Sequence, residues 1–455
     1  MDGISPKNIG NISRNSMVPS QAKVQGKGKQ AEAQAPEDSV SLDNLVKYKK
    51  EDLSDSGKLG VIIRAKDAGE LEKIKTELAK NPENKIKKDL PIINGFSAEL
   101  DPGSKGILPI FKEAQNVNVM LDGKISAIEP VEKFDNDAHI MMNVAGKTMG
   151  VDKVWDKGFK GQGQTVCVID TGIAQHPDYK DRIIGFKDLV NGRDGVENAY
   201  DDQGHGTHCA GIAVGDGSAS DGKYTGVAPE AKLVGVKVLG KYGGGSFSDI
   251  IAGVQWAVEN KEEYGINVIS MSLGGSVYQS FKDDPVAQAV EAAVDKGIVT
   301  VVAAGNSGPS SETIGTPAHA PHALTIGALD DRGTVDPSDD KIAYFSSRGP
   351  TKVDKLAKPD VLTPGVRITA PKHTGGYTAM SGTSMACPLA AGMAALMKQA
   401  VPNVSPGELK GVVMGTADPL KNEDHNQQGA GVFDVAEAVE KLTGMQIESK
   451  QTPEQ

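Results

Sequence analysis

Between residues 165 and 328 the chain alternates short, nearly continuous apolar runs with longer amphipathic ones. The runs 165–169, 232–238, 268–271, 298–304 and 323–328 have the length and β-branched content of fully buried strands. Between them Ile250, Ile251, Val254 and Val258 recur at helical spacing, and 286–294 reads as another helix. Strands that are apolar on both sides and separated by helices are satisfied by a parallel sheet covered on both faces. The pattern predicts an α/β fold, doubly wound and mostly parallel, with its site in the loops at the carboxyl ends of the strands.

The rest of the chain divides by texture. Residues 1–55 are rich in Gln, Lys, Ser, Asn and Gly and hold few large apolar groups, so they are expected to lack order. Residues 56–130 read as β-α-β-β-α-β, a small ferredoxin-like α+β domain. Its first helix carries Leu71, Ile74 and Leu78, and its second Ile107, Ile110, Phe111 and Ala114. Its closing strands are expected at 117–120 and 125–128. Residues 131–150 are polar and irregular, a linker; 151–444 form the main domain; 445–455 are a tail.

Composition removes several function classes. A net charge of −11 with no basic stripe argues against a nucleic-acid partner. No segment approaches the ~20 apolar residues that span a bilayer, so no membrane partner is expected. Cys167, Cys209 and Cys387 are odd in number and far apart, which suits neither a disulfide framework nor a zinc site. No basic-then-apolar leader is legible at the N-terminus; cytoplasmic residence is the default expectation, with non-standard export left open.

Four stretches carry chemistry. In 165–172, Asp170 follows a buried strand; Asp-Thr-Gly could also belong to an aspartic protease, but that chemistry needs two such carboxylates, and Asp55-Ser56-Gly57 has no strand before it. In Gly204-His205-Gly206-Thr207-His208, a histidine opens a small-residue helix; His205 and His208 match no metal-site spacing, and the flanking glycine suits a base beside substrate backbone. Asn306, in a glycine turn after a strand, is either a plain turn residue or an amide donor for an oxyanion. Ser384 follows Gly382-Thr383 and opens a buried helix, where it is either an N-cap or a nucleophile beside free N–H groups. An α/β-hydrolase would run Ser, acid, His; here the order is Asp, His, Ser.

That order, with the Asp-Thr-Gly, His-Gly-Thr-His and Gly-Thr-Ser-Met-Ala segments, resembles subtilisin-like serine proteases of bacterial type over residues 151–444. Gly226-Val227-Ala228-Pro229, Ser272-Leu273-Gly274-Gly275 and 345–350 fit the same family. Residues 58–130 resemble, more loosely, the family's inhibitory propeptide.

The resemblance implies a serine endopeptidase with Asp170, His205 and Ser384 as triad and Asn306 as oxyanion donor. Extended protein or peptide substrates would pair with Gly244, Gly245, Ser246, Ser272, Leu273 and Gly274. Ala303, Ala304 and Gly315 would line the primary pocket, and Gly305 would also contact substrate; with no charge in the pocket and space at Gly315, large uncharged residues are expected before the cut. The chemistry needs no cofactor. Structural calcium is expected in the family sense, with Asp178 as a ligand, although the 215–225 loop departs from the family pattern. The propeptide would act as an intramolecular inhibitor, with self-cleavage in the linker. A catalytically silent binding protein of the same fold, or an esterase, is the alternative.

Overall fold

The computed structural model describes residues 39–42, 46–49, 53–54, 57–102, 117–134 and 142–447. Within the segment expected to lack order, Ser39–Leu42 and Val46–Lys49 pair as two short strands. Most of the remainder of 1–55 lies outside the described residues.

The small unit contains β1 (Leu59–Ala65), α1 (Ala68–Leu78), β2 (Lys85–Leu90), β3 (Gly95–Leu100) and β4 (Val117–Leu121). Its antiparallel sheet has the order β2-β3-β1-β4. α1 begins where the Asp67 carboxylate accepts the amides of Gly69 and Glu70 at 2.6 and 3.2 Å, an N-cap. Its buried Leu71, Ile74 and Leu78 share a core with Val61, Ile63 and Phe96. The second helix expected over Ile107, Ile110, Phe111 and Ala114 lies outside the described residues.

The last expected strand does not close this sheet. β5 (Lys124–Ala127) leaves it and pairs antiparallel between two strands of the large domain. Ile125 and Ala127 are buried and their neighbours are not, an alternation that marks a half-buried strand without saying whose. The stretch expected to be irregular also differs, for it contains β6 (Glu132–Phe134) and α2 (Met142–Thr148).

The large domain opens with α3 (Val151–Asp156), β7 (Thr165–Asp170), β8 (Ile183–Asp188), α4 (His205–Val214), β9 (Lys232–Lys237) and β10 (Gly244–Ser246). Then come α5 (Phe247–Glu259), β11 (Ile266–Met271), β12 (Leu273–Gly274), α6 (Pro285–Asp295), β13 (Val299–Ala303) and β14 (Leu324–Asp330). The remainder includes β15 (Lys341–Ile342), β16 (Val361–Pro364), β17 (Ile368–Pro371), β18 (Tyr377–Ser381), α7 (Thr383–Ala400), α8 (Pro406–Gly415) and α9 (Val435–Thr443).

Among the described residues the central sheet runs β8-β9-β7-β11-β13-β14-β15, with β16 also on β14, and only β15 is antiparallel. This is the doubly wound arrangement, because alternate strand residues feed two cores. Val166, Val168, Val299 and Val301 pack toward α4 and α7, while Cys167, Ile169, Val234 and Val302 pack toward α5 and α6. Each such side chain contributes about 1.5–3 kcal/mol by leaving water. α7 is buried from Thr383 to Lys398, and its small residues admit close neighbours. A Cβ on Gly392 would lie 2.5 Å from Val227 Cβ.

The small unit lies on the α5–α6 face. Ile62, Leu90 and Ile93 join the core layer of those helices. Lys88 pairs with Asp249, and Asp122 accepts the Ser248 amide at 2.9 Å and hydroxyl at 2.6 Å. Asp122 thus meets the amino end of α5, where free N–H groups favour an anion.

Candidate active site

Asp170 ends β7 and His205 opens α4. The two meet because glycine lets their backbones touch, since a Cβ on Gly206 would lie 2.2 Å from the Gly172 carbonyl oxygen. The glycine after His205 therefore serves strand–helix contact and not, as the sequence suggested, room for substrate. Asp201 fixes the start of α4, accepting from Gly204 N at 2.8 Å, Thr207 N at 2.9 Å and Thr207 Oγ1 at 2.7 Å.

His205 Nδ1 lies 2.8 Å from Asp170 Oδ1, with both residues 1% exposed. Burial opposes charge on the imidazole, but the Asp170 carboxylate and the Cys209 sulfur beside it together hold His205 well above the ordinary histidine range. With Nδ1–H donated to Asp170, Nε2 is the ring nitrogen left over, and it has no hydrogen-bond partner among the described residues.

Ser384 is the second residue of α7. Four residues on, Pro388 lacks the N–H that would bond the Ser384 carbonyl within the helix. That carbonyl is satisfied from outside, by Ser272 Oγ at 3.0 Å and Cys209 Sγ at 3.4 Å. Cys209 Sγ is also 3.9 Å from His205 Nδ1, so one side chain touches both histidine and serine. The Ser384 hydroxyl donates to Ile128 O at 2.8 Å.

Asn306 is oriented by its own oxygen. Its Oδ1 accepts Thr383 N and Thr383 Oγ1, each at 2.9 Å, which turns Nδ2 outward to Glu129 O at 3.0 Å. An amide donor and a hydroxyl thus converge on consecutive carbonyls of one crossing strand.

That strand fills the cleft. Ser126, Ile125 and Lys124 pair with Gly244, Gly245 and Ser246; Ala127 and Ser126 pair with Leu273 and Gly274. Ile128 N donates to Ser272 O at 3.1 Å, and the Ile128 side chain packs on Gly274. Beyond Ser384, Val131 N donates to Ser381 O at 2.7 Å and β6 pairs with β18. Ala303 and Ala304 are buried, and Gly305 N donates to Thr383 Oγ1 at 3.2 Å. Gly315 N donates to Ala304 O at 3.4 Å, and a Cβ on it would come within 2.8 Å of Gly275 O. Glycine is needed there for backbone contact.

Asp178 does not suit a calcium ion. It is fully buried, but its carboxylate meets donors: Tyr377 Oη is 2.9 and 2.8 Å from its two oxygens, and Ala219 N donates to Oδ1 at 2.9 Å. Calcium needs six to eight oxygens offering lone pairs, not protons. Among the described residues the acidic, His and Cys atoms that converge closely enough for a metal are those of Asp170, His205 and Cys209, the cluster above. His208 is structural, with Nε2 3.0 Å from Thr378 O. All three cysteines are free and buried. No described helix is long and apolar enough to cross a membrane.

Sequence reasoning missed the occupants of the cleft, Ile128, Glu129 and Val131, and the supporting roles of Ser272 and Tyr377. One signal was legible. A proline inside a helix orphans the carbonyl four residues earlier, here that of Ser384.

Residues 161–431 match the model of the subtilase family, Peptidase_S8. The chain is 41% identical over 383 residues to serine protease AprX of Bacillus subtilis, covering 80% of this chain and 83% of that one. It is 38% identical to subtilisin DY of Bacillus licheniformis, over 64% of this chain and 95% of that protein. Among solved structures, fervidolysin from Fervidobacterium pennivorans, described as a keratinolytic enzyme related to subtilisin, superposes with a TM-score of 0.68 at 22% identity. That match covers 87% of this chain and 63% of fervidolysin, and it speaks for the fold.

Proposed function

The chain belongs to the subtilase family of serine proteases, and we propose that Ser384, His205 and Asp170 are its catalytic triad and that it is made in a self-blocked form. In this reading Ser384 Oγ attacks a peptide carbonyl carbon while His205 Nε2 takes the hydroxyl proton. Asp170 holds Nδ1–H, so that the correct nitrogen faces the serine, and stabilises the imidazolium that forms. Asn306 Nδ2 and the Ser384 amide bind the oxyanion. Collapse of the tetrahedral intermediate breaks the C–N bond, with the proton passing from His205 to the leaving amine. Water then repeats the cycle on the acyl-enzyme, releasing the acid and restoring Ser384. No cofactor takes part.

The 2.8 Å contact between His205 and Asp170, beside an Asn306 amide aimed at a carbonyl oxygen, carries this reading. Substrate would bind as β5 does, extended between Gly244–Ser246 and Leu273–Gly274, which gives backbone affinity with little side-chain demand. Ile128 packed on Gly274, with the expected pocket residues Ala303 and Ala304 buried and uncharged, supports a preference for large uncharged residues before the cut.

Residues 56–130 would then be an inhibitory propeptide whose tail blocks the cleft. The block is a register one. Asn306 holds the oxygen of Glu129 while Ser384 donates to the oxygen of Ile128, so no single peptide bond is presented to both. Maturation would cut beyond the blocking strand, in the remainder of the 131–150 segment.

The reading is tested by incubating the purified protein with casein, with and without a serine-directed phosphonate. Hydrolysis abolished by the phosphonate is expected. Absence of hydrolysis by protein that has lost residues 1–130, or hydrolysis indifferent to the phosphonate, would overturn it.

A further inference from the structure

We propose that Tyr377 takes the place of a bound cation at Asp178 and thereby braces the strand that receives the part of the substrate beyond the cut. The cation half of this inference stands on contacts alone; the substrate half rests on the proposed protease reading.

Asp178 lies in the turn after His176 and Pro177, and it is a carboxylate without solvent. Such a group needs compensation. It receives hydrogen-bond donors: the Tyr377 hydroxyl bridges both oxygens and the Ala219 amide holds one. A positive group is already close as well. Arg182 Nη2 donates to the Asp178 carbonyl at 2.5 Å and lies 3.7 Å from Asp216 Oδ2. A divalent ion entering here would meet a phenolic proton, an amide proton and a guanidinium.

The loop that would supply further oxygens is spent on itself. Asp216 N donates to Asp178 O at 3.0 Å, Ser218 N to Asp216 Oδ1 at 2.8 Å, and Thr225 Oγ1 to Gly222 O at 3.0 Å. Tyr224 closes the loop over Tyr377, ring centroids 4.7 Å apart.

Tyr377 is also the first residue of β18, whose last residue, Ser381, accepts Val131 N and lies three positions before Ser384. Two further ties reach the same end of that strand: His176 Nε2 to Gly376 O at 3.2 Å and His208 Nε2 to Thr378 O at 3.0 Å. His176 Nδ1 accepts Asp178 N at 3.3 Å, which leaves Nε2 to donate to Gly376 O. The Asp178–Tyr377 bond therefore fixes a strand that, among the described residues, meets the cleft-filling segment at Val131 to Phe134, beyond Glu129. Loosening it should disturb residues after the scissile bond and spare those before it.

Two measurements test this. The first is the thermal midpoint of the Ser384→Ala protein, which cannot digest itself, in chelator and in millimolar calcium. The same midpoint in both is expected. A calcium-dependent rise that Asp178→Asn abolishes would overturn the cation half, whatever the protein's activity. The second compares Tyr377→Phe with the parent on a peptide running several residues past the cut and on a p-nitroanilide ending at it. A several-fold rise in KM on the long peptide, with the anilide unchanged, is expected. Equal losses on both, or none on either, would overturn the brace. If Tyr377→Phe does not fold, the calcium measurement on the parent still decides the cation half, and Tyr377→His, which keeps a donor on the ring, replaces it in the second.

Discussion

The amide nitrogen of Asn306 lies 3.0 Å from the carbonyl oxygen of Glu129, held there because the other end of the same amide accepts both the N–H and the hydroxyl of Thr383. The donor is thus set in place before any charge develops, which is the condition for stabilising an oxyanion without reorganisation. Asn306→Ala should lower kcat by about 10²–10³, the size of the corresponding loss in subtilisin, with KM little changed. Steady-state kinetics on a chromogenic peptide measures it. An unchanged kcat would remove Asn306 from the chemistry.

The strand through the cleft makes a second expectation. Wild-type protein should shorten on storage at neutral pH, losing its N-terminal region, while Ser384→Ala stays full length. Intact-mass spectrometry follows both. Equal shortening of the two would show that another protease does the cutting.

In the proposed mechanism the pair His205–Asp170 sets the pH dependence. Burial lowers the affinity of His205 for a proton, but Asp170 and the neighbouring Cys209 together raise it more, so the folded value lies above the ordinary one of about 6.5. Catalysis needs the neutral ring, so kcat/KM should rise with pH through that elevated value and not near 6.5. For stability the sign is the reverse: the pair's contribution is complete below the unfolded value and fades as pH climbs through the folded one. Asp170→Asn should shift the acid limb downward and cut kcat by about 10⁴. A limb that does not move would contradict the assignment.

Cys209 touches both the Ser384 carbonyl and the His205 ring. Burial raises its thiol above the ordinary range, so it stays protonated and reacts slowly. Prolonged mercurial treatment should nonetheless abolish activity by forcing serine and histidine apart, and Cys209→Ala should be active and resistant. Full activity in a wild-type sample shown by mass to carry mercury on Cys209 would refute this.

Much of this was legible in the sequence for identifiable reasons. β7, β9, β11 and β13 are apolar on both sides, and a local pattern suffices to announce a strand buried between two helical layers. Asp170, His205 and Ser384 stood out because each borders a turn whose glycines and small residues are demanded by close contact. Long-range partnership was not legible. Ile125 and Ala127 alternate as they would in any half-buried strand, and nothing local says that their neighbours are Gly245 and Leu273. β16, β17 and β18 are short and bounded by Pro364, Pro371 and Gly376, so their runs fall below what periodicity can detect. Asp178 matched a ligand by position alone. Its true partner, Tyr377, lies far along the chain and appears only once the fold has formed.

The most direct measurement of the central claim is the site of modification by a serine-directed phosphonate, mapped by peptide mass spectrometry on the active enzyme and on His205→Ala. A single adduct on Ser384, formed in step with loss of casein hydrolysis and absent from His205→Ala, is the expected result. An enzyme inactivated with Ser384 unmodified, or Ser384 labelled equally fast without His205, would contradict it.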